Sequence, residues 1–102
     1  TPMIGAYNVS KAALLHMTRQ LALELAPGVR VNSLAPGLVK TYFSRYLYES
    51  DEAGAAARQP LGRLGVPDDV AAAALFLCSD ASSWMTGECI VVDGGASLTW
   101  PI

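Results

Sequence analysis

Tyr7 and Lys11 place a phenol and an amine four residues apart, at the start of a long run of good helix formers. At that spacing the two side chains share one helix face. On a wheel of about 100° per residue, the face continues through Leu14, Thr18, Leu21 and Leu25. His16, Arg19 and Gln20 fall opposite. The polar pair therefore heads the stripe expected to be buried. A free tyrosine titrates near pH 10 and is a poor acid or base at neutrality. An ammonium group a few ångströms away favours the phenolate, which suits the phenol to exchange a proton with an alcohol or carbonyl oxygen. A half-buried tyrosine beside a snorkelling lysine satisfies the same spacing, so the pair alone leaves both readings open.

A second candidate lies downstream. Val29–Ala35 mixes β-branched and polar residues and runs into Pro36-Gly37, as a strand entering a loop does. Ligands of open parallel sheets bind beyond the carboxyl ends of strands. There Pro36-Gly37-Leu38-Val39-Lys40-Thr41 offers a glycine that lets backbone approach a ligand. Its exposed amides and the Thr41 hydroxyl suit a carboxamide or phosphate. A plain turn closing the strand is the alternative. Other chemistries find no support. His16 is the only histidine, no metal-ligand cluster is present, and neither GxGxxG nor a Walker sequence occurs.

The elements that must position these groups can be read in order. Residues 5–26 form the first helix, stopped by Pro27-Gly28. Its apolar arc (Leu14, Leu15, Met17, Leu21, Ala22, Leu25) is wider than the roughly 100° of an ordinary surface helix. That width predicts packing on a sheet and on a second helix or subunit. The helix, a short break and the strand make the αβ half of a βαβ unit, so the sheet is expected to be parallel. Residues 36–66 are irregular, with weak helical signals over Thr41–Tyr48 and Glu49–Arg58. Pro67-Asp68-Asp69 opens another helix, running to about Ser79. Cys89–Val92 is a short apolar strand of the kind buried on both faces, and Asp93-Gly94-Gly95 ends it. The tail 96–102 is apolar enough to dock.

The chain has 102 residues, 52% hydrophobic and 16% charged, which bounds it to one domain of globular composition. A net charge of −2 leaves no basic footprint for nucleic acid. No run approaches the roughly 18 apolar residues of a membrane span. Cys78 and Cys89 read as two reduced, buried thiols of a cytoplasmic protein. The opening Thr1-Pro2 reads as the C-terminal part of a longer protein, or of a processed or truncated one.

Taken together, these stretches resemble the short-chain dehydrogenase/reductase family, almost from end to end. Tyr7-Asn8-Val9-Ser10-Lys11 resembles its Tyr-x-x-x-Lys segment. Asn32-Ser33-Leu34-Ala35-Pro36-Gly37 is similar to its Asn-x-x-x-Pro-Gly segment, with Val39 and Thr41 at the usual offsets. Pro60–Arg63 with Gly65–Ala71 resembles the stretch before the penultimate helix, and Thr86-Gly87…Val91-Val92-Asp93-Gly94-Gly95 the closing strand. The nearest flavour is the 3-oxoacyl-carrier-protein reductase or general carbonyl reductase type.

The resemblance implies an α/β fold, the C-terminal part of a Rossmann-type doubly wound parallel sheet. Residues 1–102 would then be part of one NAD(P)-binding domain. It implies hydride transfer between NAD or NADP and a small carbonyl or alcohol substrate. Tyr7 would be the acid/base. Lys11 would lower the Tyr7 pKa and hold the nicotinamide ribose. Pro36, Gly37, Val39 and Thr41 would line the nicotinamide end. Residues 42–58 would form a substrate lid, with Phe43, Tyr46 and Tyr48 as contacts. The first helix and the tail would serve subunit interfaces of a homo-oligomer, dimer or tetramer. No membrane or nucleic-acid partner is implied. The family's Gly-rich turn, its NAD/NADP-selecting residue, an asparagine and a catalytic serine belong upstream of this stretch, so the isolated chain is expected not to be a competent reductase. A catalytically inactive piece retained for structure or oligomerisation is the competing reading. An isomerase or dehydratase relative is a third.

Overall fold

The computed structural model describes residues 5–99, apart from the side chain of Tyr7. Helix α1 spans Gly5–Leu25, strand β1 Ser33–Pro36, helix α2 Glu52–Ala57, helix α3 Pro67–Cys78 and strand β2 Cys89–Val92. Short 3-10 turns cover Arg45–Leu47, Glu49–Asp51, Asp80–Ser82 and Ala96–Thr99.

The expected parallel sheet is present. β1 and β2 pair side by side in parallel, Ser33 opposite Cys89 and Pro36 opposite Val92. The ladder continues at both ends, from Ser33 N–H to the Glu88 carbonyl and from Gly37 N–H to the Val92 carbonyl, each 2.9 Å. Pro36 has no N–H to give and sits at the last strand position, where the ladder tolerates it. β1 begins four residues later than the sequence pattern suggests. Its approach is tied by side chains instead. Val31 N–H donates to the Thr86 hydroxyl (3.0 Å), and the Asn32 amide bonds both the Met85 carbonyl (3.1 Å) and Glu88 N–H (3.1 Å).

Arg30 makes the densest set of bonds. Its Nη1 donates to the Ser82 carbonyl (2.8 Å), the Ser82 hydroxyl (3.1 Å) and the Met85 carbonyl (3.1 Å). Its Nη2 donates to the carbonyls of Leu77 (3.0 Å) and Ser79 (3.2 Å). A guanidinium thus occupies the negative end of α3, where orphan carbonyls need donors. At the other end Pro67 takes the first helical turn and the Asp69 carboxylate accepts from Val66 N–H at 2.7 Å.

Burial departs from the sequence reading. The largest packed cluster joins Tyr48, Ala55 and Leu64, with Leu38 and Ala56 against it. Among the described residues of α1 only Thr18 and Ala22 are buried; Leu14, Leu15, Met17 and Leu25 are exposed. The wide apolar arc is real, but two four-residue strands offer too little surface to cover a 21-residue helix. The radius of gyration, 15.6 Å, exceeds the roughly 13 Å of a compact 100-residue domain. The thiols differ too. Both cysteines are free, but Cys78 is exposed at the end of α3 and Cys89 is only half-buried on β2.

Candidate active site

α1 carries the first candidate pair. Lys11 lies one turn after Tyr7 and is exposed. The Tyr7 side chain lies outside the described residues, and with it the expected Tyr7–Lys11 juxtaposition. The helix is fixed at its far end, where Ala22 is buried and a Cβ built on Gly87 would meet the Ala22 methyl at 3.5 Å.

The loop leaving β1 carries the rest. Gly37 is needed for a reason the sequence did not give. A Cβ there would lie 2.6 Å from the Asp93 Cβ and 2.8 Å from its Cα, so the close approach is to the end of β2. The strand-like path resumes at Val39, which bridges in parallel to Gly65. Lys40 N–H donates to the Gly65 carbonyl (2.8 Å) and Gly65 N–H to the Leu38 carbonyl (3.0 Å). Among the described residues nothing accepts from the Val39 N–H. Thr41 is half-buried, and its hydroxyl lies 3.0 Å from the Ser44 hydroxyl.

The three aromatic lid candidates separate. Phe43 and Tyr46 are 84% and 70% exposed, while Tyr48 is 9% exposed. Tyr48 therefore does not project from the lid as expected. Its ring packs with Ala55 and Leu64, and its hydroxyl donates to the Thr41 carbonyl at 3.1 Å. The ring is large enough to anchor a small cluster, and its one polar atom finds a partner at the edge. The 42–58 segment and the loop are joined again by the Lys40–Glu52 ion pair, 2.6 Å. The hydrogen bond to Glu52 and its charge raise the Lys40 pKa.

Two carboxylates fix the surrounding turns. Asp69 receives both ends of the Arg63 guanidinium, at 2.8 and 2.9 Å. That fork, with Val66 N–H, holds its carboxyl well below the usual carboxylate range. Asp93 accepts from Ser97 N–H and Gly95 N–H, each at 2.9 Å, and these bonds, Ser97 first, lower its pKa. A cavity of about 180 Å³ lies among Leu38, Val39, Gly65, Val92 and Asp93. It shares only Val39 with the candidate set. A second cavity of about 310 Å³ lies between the end of α1 and Trp84, at the amino edge of the strands, and contains none of them. Ser44 was missed in the sequence. Its signal is the Thr-x-x-Ser spacing just past the proline-glycine turn.

A family model described as enoyl-(acyl carrier protein) reductase matches residues 1–97. The human dehydrogenase/reductase SDR family member 4 is 51% identical over 98 residues, 93% of this chain and 35% of that protein. The chain belongs to the short-chain dehydrogenase/reductase family. The crystal structure of a short-chain dehydrogenase/reductase (glucose/ribitol dehydrogenase) from Brucella melitensis superposes with a TM-score of 0.86 at 41% identity, over 91% of this chain and 38% of that one. A 4-hydroxyisoleucine dehydrogenase mutant complexed with NADH and succinate superposes with a TM-score of 0.81 at 34% identity, over 94% of this chain and 41% of that one. The fold is accordingly part of the family's Rossmann-type α/β sheet, and the chain spans about a third of the length of the curated relatives it matches. Among the described residues no helix is long and apolar enough to cross a membrane.

Proposed function

We infer that the protein containing this chain is a nicotinamide-dependent oxidoreductase acting on a small carbonyl or alcohol. Its proton is handled by Tyr7. One observation carries the reading: Tyr7 and Lys11 stand one turn apart at the head of α1, in a chain matched to this family over residues 1–97. Geometry supports it. From Ala22, at the amino edge of the strands, Lys11 lies about 16 Å back along the helix at 1.5 Å per residue. β1 spans about 13 Å. A helix that returned beside its strand, as in a right-handed crossover, would bring Lys11 to the carboxyl edge where the Gly37–Thr41 loop emerges.

The donors present fit a nicotinamide cofactor. The Val39 N–H has no acceptor among the described residues, the Thr41 hydroxyl follows two positions on, and Gly37 adds no side chain to the approach. Such a cofactor supplies or accepts the hydride. Tyr7 gives its proton to the carbonyl oxygen in reduction, or takes it from the hydroxyl in oxidation. Lys11 favours the phenolate and has donors for ribose hydroxyls. Val39 and Thr41 orient the nicotinamide end, and Pro36 fixes the loop's departure from β1. Residues 42–58 form the substrate lid, with Phe43 and Tyr46 as its contacts. The exposed apolar arc of α1 supports its burial in a homo-oligomer.

The test is nicotinamide absorbance, measured on the complete gene product with NADH and NADPH against a panel of carbonyl compounds. Tyr7→Phe is expected to lower turnover by about a hundredfold or more, the range of general acid–base catalysis. Full activity in that variant would sink the assignment.

A further inference from the structure

Ser44 starts the 3-10 turn Arg45–Leu47, yet its side chain caps nothing in that turn. A serine at such a position ordinarily accepts from an N–H two or three residues ahead. Here it turns back. Its Oγ lies 2.5 Å from the Val39 carbonyl, 3.2 Å from Thr41 N and 3.0 Å from the Thr41 hydroxyl. Ser44 N–H in turn lies 3.2 Å from the Thr41 hydroxyl oxygen.

A hydroxyl has one proton and two lone pairs, and that assigns the directions. The Ser44 proton goes to the nearest acceptor, the Val39 carbonyl. Its lone pairs take Thr41 N–H and the Thr41 hydroxyl proton. The Thr41 oxygen takes Ser44 N–H. One serine therefore satisfies the carbonyl of Val39 and both the amide and hydroxyl of Thr41. Among the described residues it leaves the Val39 N–H, like that of Leu38, without a protein acceptor. Tyr48 adds the last constraint by donating to the Thr41 carbonyl from inside the packed cluster.

We propose that Ser44 and Tyr48 are positioning residues for the cofactor: Ser44 holds the Val39–Thr41 backbone in the shape that presents the Val39 amide, and Tyr48 locks that shape to the lid. This rests on the nicotinamide reading above. The hydroxyl of Thr41 can donate to a ligand only by turning its proton away from Ser44, so Ser44 also sets how readily Thr41 is recruited as a donor.

The experiment uses the complete gene product and titrates NADH and NADPH by cofactor fluorescence, beside steady-state kinetics. Removing a hydroxyl that makes several bonds corresponds to about a tenfold loss of affinity. Ser44→Ala is expected to raise the cofactor Kd and KM by that factor while kcat at saturating cofactor stays within about twofold. Ser44→Thr, which keeps the hydroxyl, restores both constants. Tyr48→Phe keeps the ring and loses one bond, so it is expected to raise cofactor KM by about fivefold with unfolding temperature nearly unchanged. An unaltered cofactor Kd in Ser44→Ala overturns the proposal, as does a loss confined to kcat or a failure of Ser44→Thr to rescue. These outcomes are separate from the Tyr7 test. Full activity in Tyr7→Phe defeats the acid/base assignment and leaves cofactor positioning standing. An unsubstituted protein that binds neither cofactor defeats both.

Discussion

The two edges of the small β1–β2 sheet are held in opposite ways. At the amino edge Arg30, Val31 and Asn32 reach residues 77–88, far along the chain, through a fan of side-chain bonds. At the carboxyl edge the loop after Gly37 is held mostly by its own neighbours, Ser44 and Tyr48. Long-range staples tie separate elements together, and losing them costs global stability. Local ties shape one loop and can be remade at low cost. The division fits the cofactor site proposed above, because ligands of parallel sheets bind at the carboxyl edge.

The comparison can be broken in three places, beginning with the amino edge. Arg30→Ala leaves the carbonyls of Leu77, Ser79, Ser82 and Met85 without their shared donor. In the complete gene product it is expected to cost about 3 kcal/mol in chemical denaturation, as loss of a multiply bonded charged donor does. Arg30→Lys should recover only part, since an ammonium cannot fork across four carbonyls. A cost below that of any carboxyl-edge variant would reverse the comparison. Gly37→Ala comes next. Its methyl would meet Asp93 Cβ at 2.6 Å, and the overpacking is expected to cost about 2 kcal/mol. Cofactor affinity should fall with it, because the displaced backbone leads directly to Val39. A variant that loses stability but keeps full affinity would show that loop and strand end are independent.

The smallest effect concerns pH. The folded pKa of Asp69 is depressed by Arg63 and by Val66 N–H. Its contribution is therefore complete above the ordinary carboxylate value of about 3.9 and is lost as pH falls toward the lower folded value. Thermal unfolding between pH 6 and 3 should show a decline at the acid end that is shallower in Asp69→Asn. Identical slopes would remove the Arg63–Asp69 pair from the account of the α3 start.

Most of the element order was legible because its signals are local. β2 was read at its observed bounds, and Pro67 with two aspartates marked the start of α3. Proline, glycine and β-branched runs act within a few residues, so sequence shows them. Arg30 was not legible, because its partners lie about fifty residues away, and side-chain reach of that kind leaves no periodic trace. Tyr48 misled for a related reason. Four aromatics (Tyr42, Phe43, Tyr46 and Tyr48) in an irregular stretch carry no pattern to say which one turns inward. The apolar arc of α1 was read correctly as a face, but periodicity names the face and not what covers it. The family motifs singled out the loop after Pro36, whereas Ser44, which shapes it, stood outside them.

The parallel pairing of β1 and β2 also sets an order of events. Residues 37–88 intervene between the strands, and bringing ends that far apart together costs about 3.5 kcal/mol of chain entropy by the logarithmic loop law. Little of the ladder can repay that until Arg30 has a finished α3 to grip. On a ribosome, β1 is therefore made well before β2 and cannot pair with it until nearly the whole of this stretch has emerged. Pulsed amide exchange during refolding should find Ala35 and Ile90, whose amides donate across the ladder in this register, gaining protection together, and after the helical amides of α3.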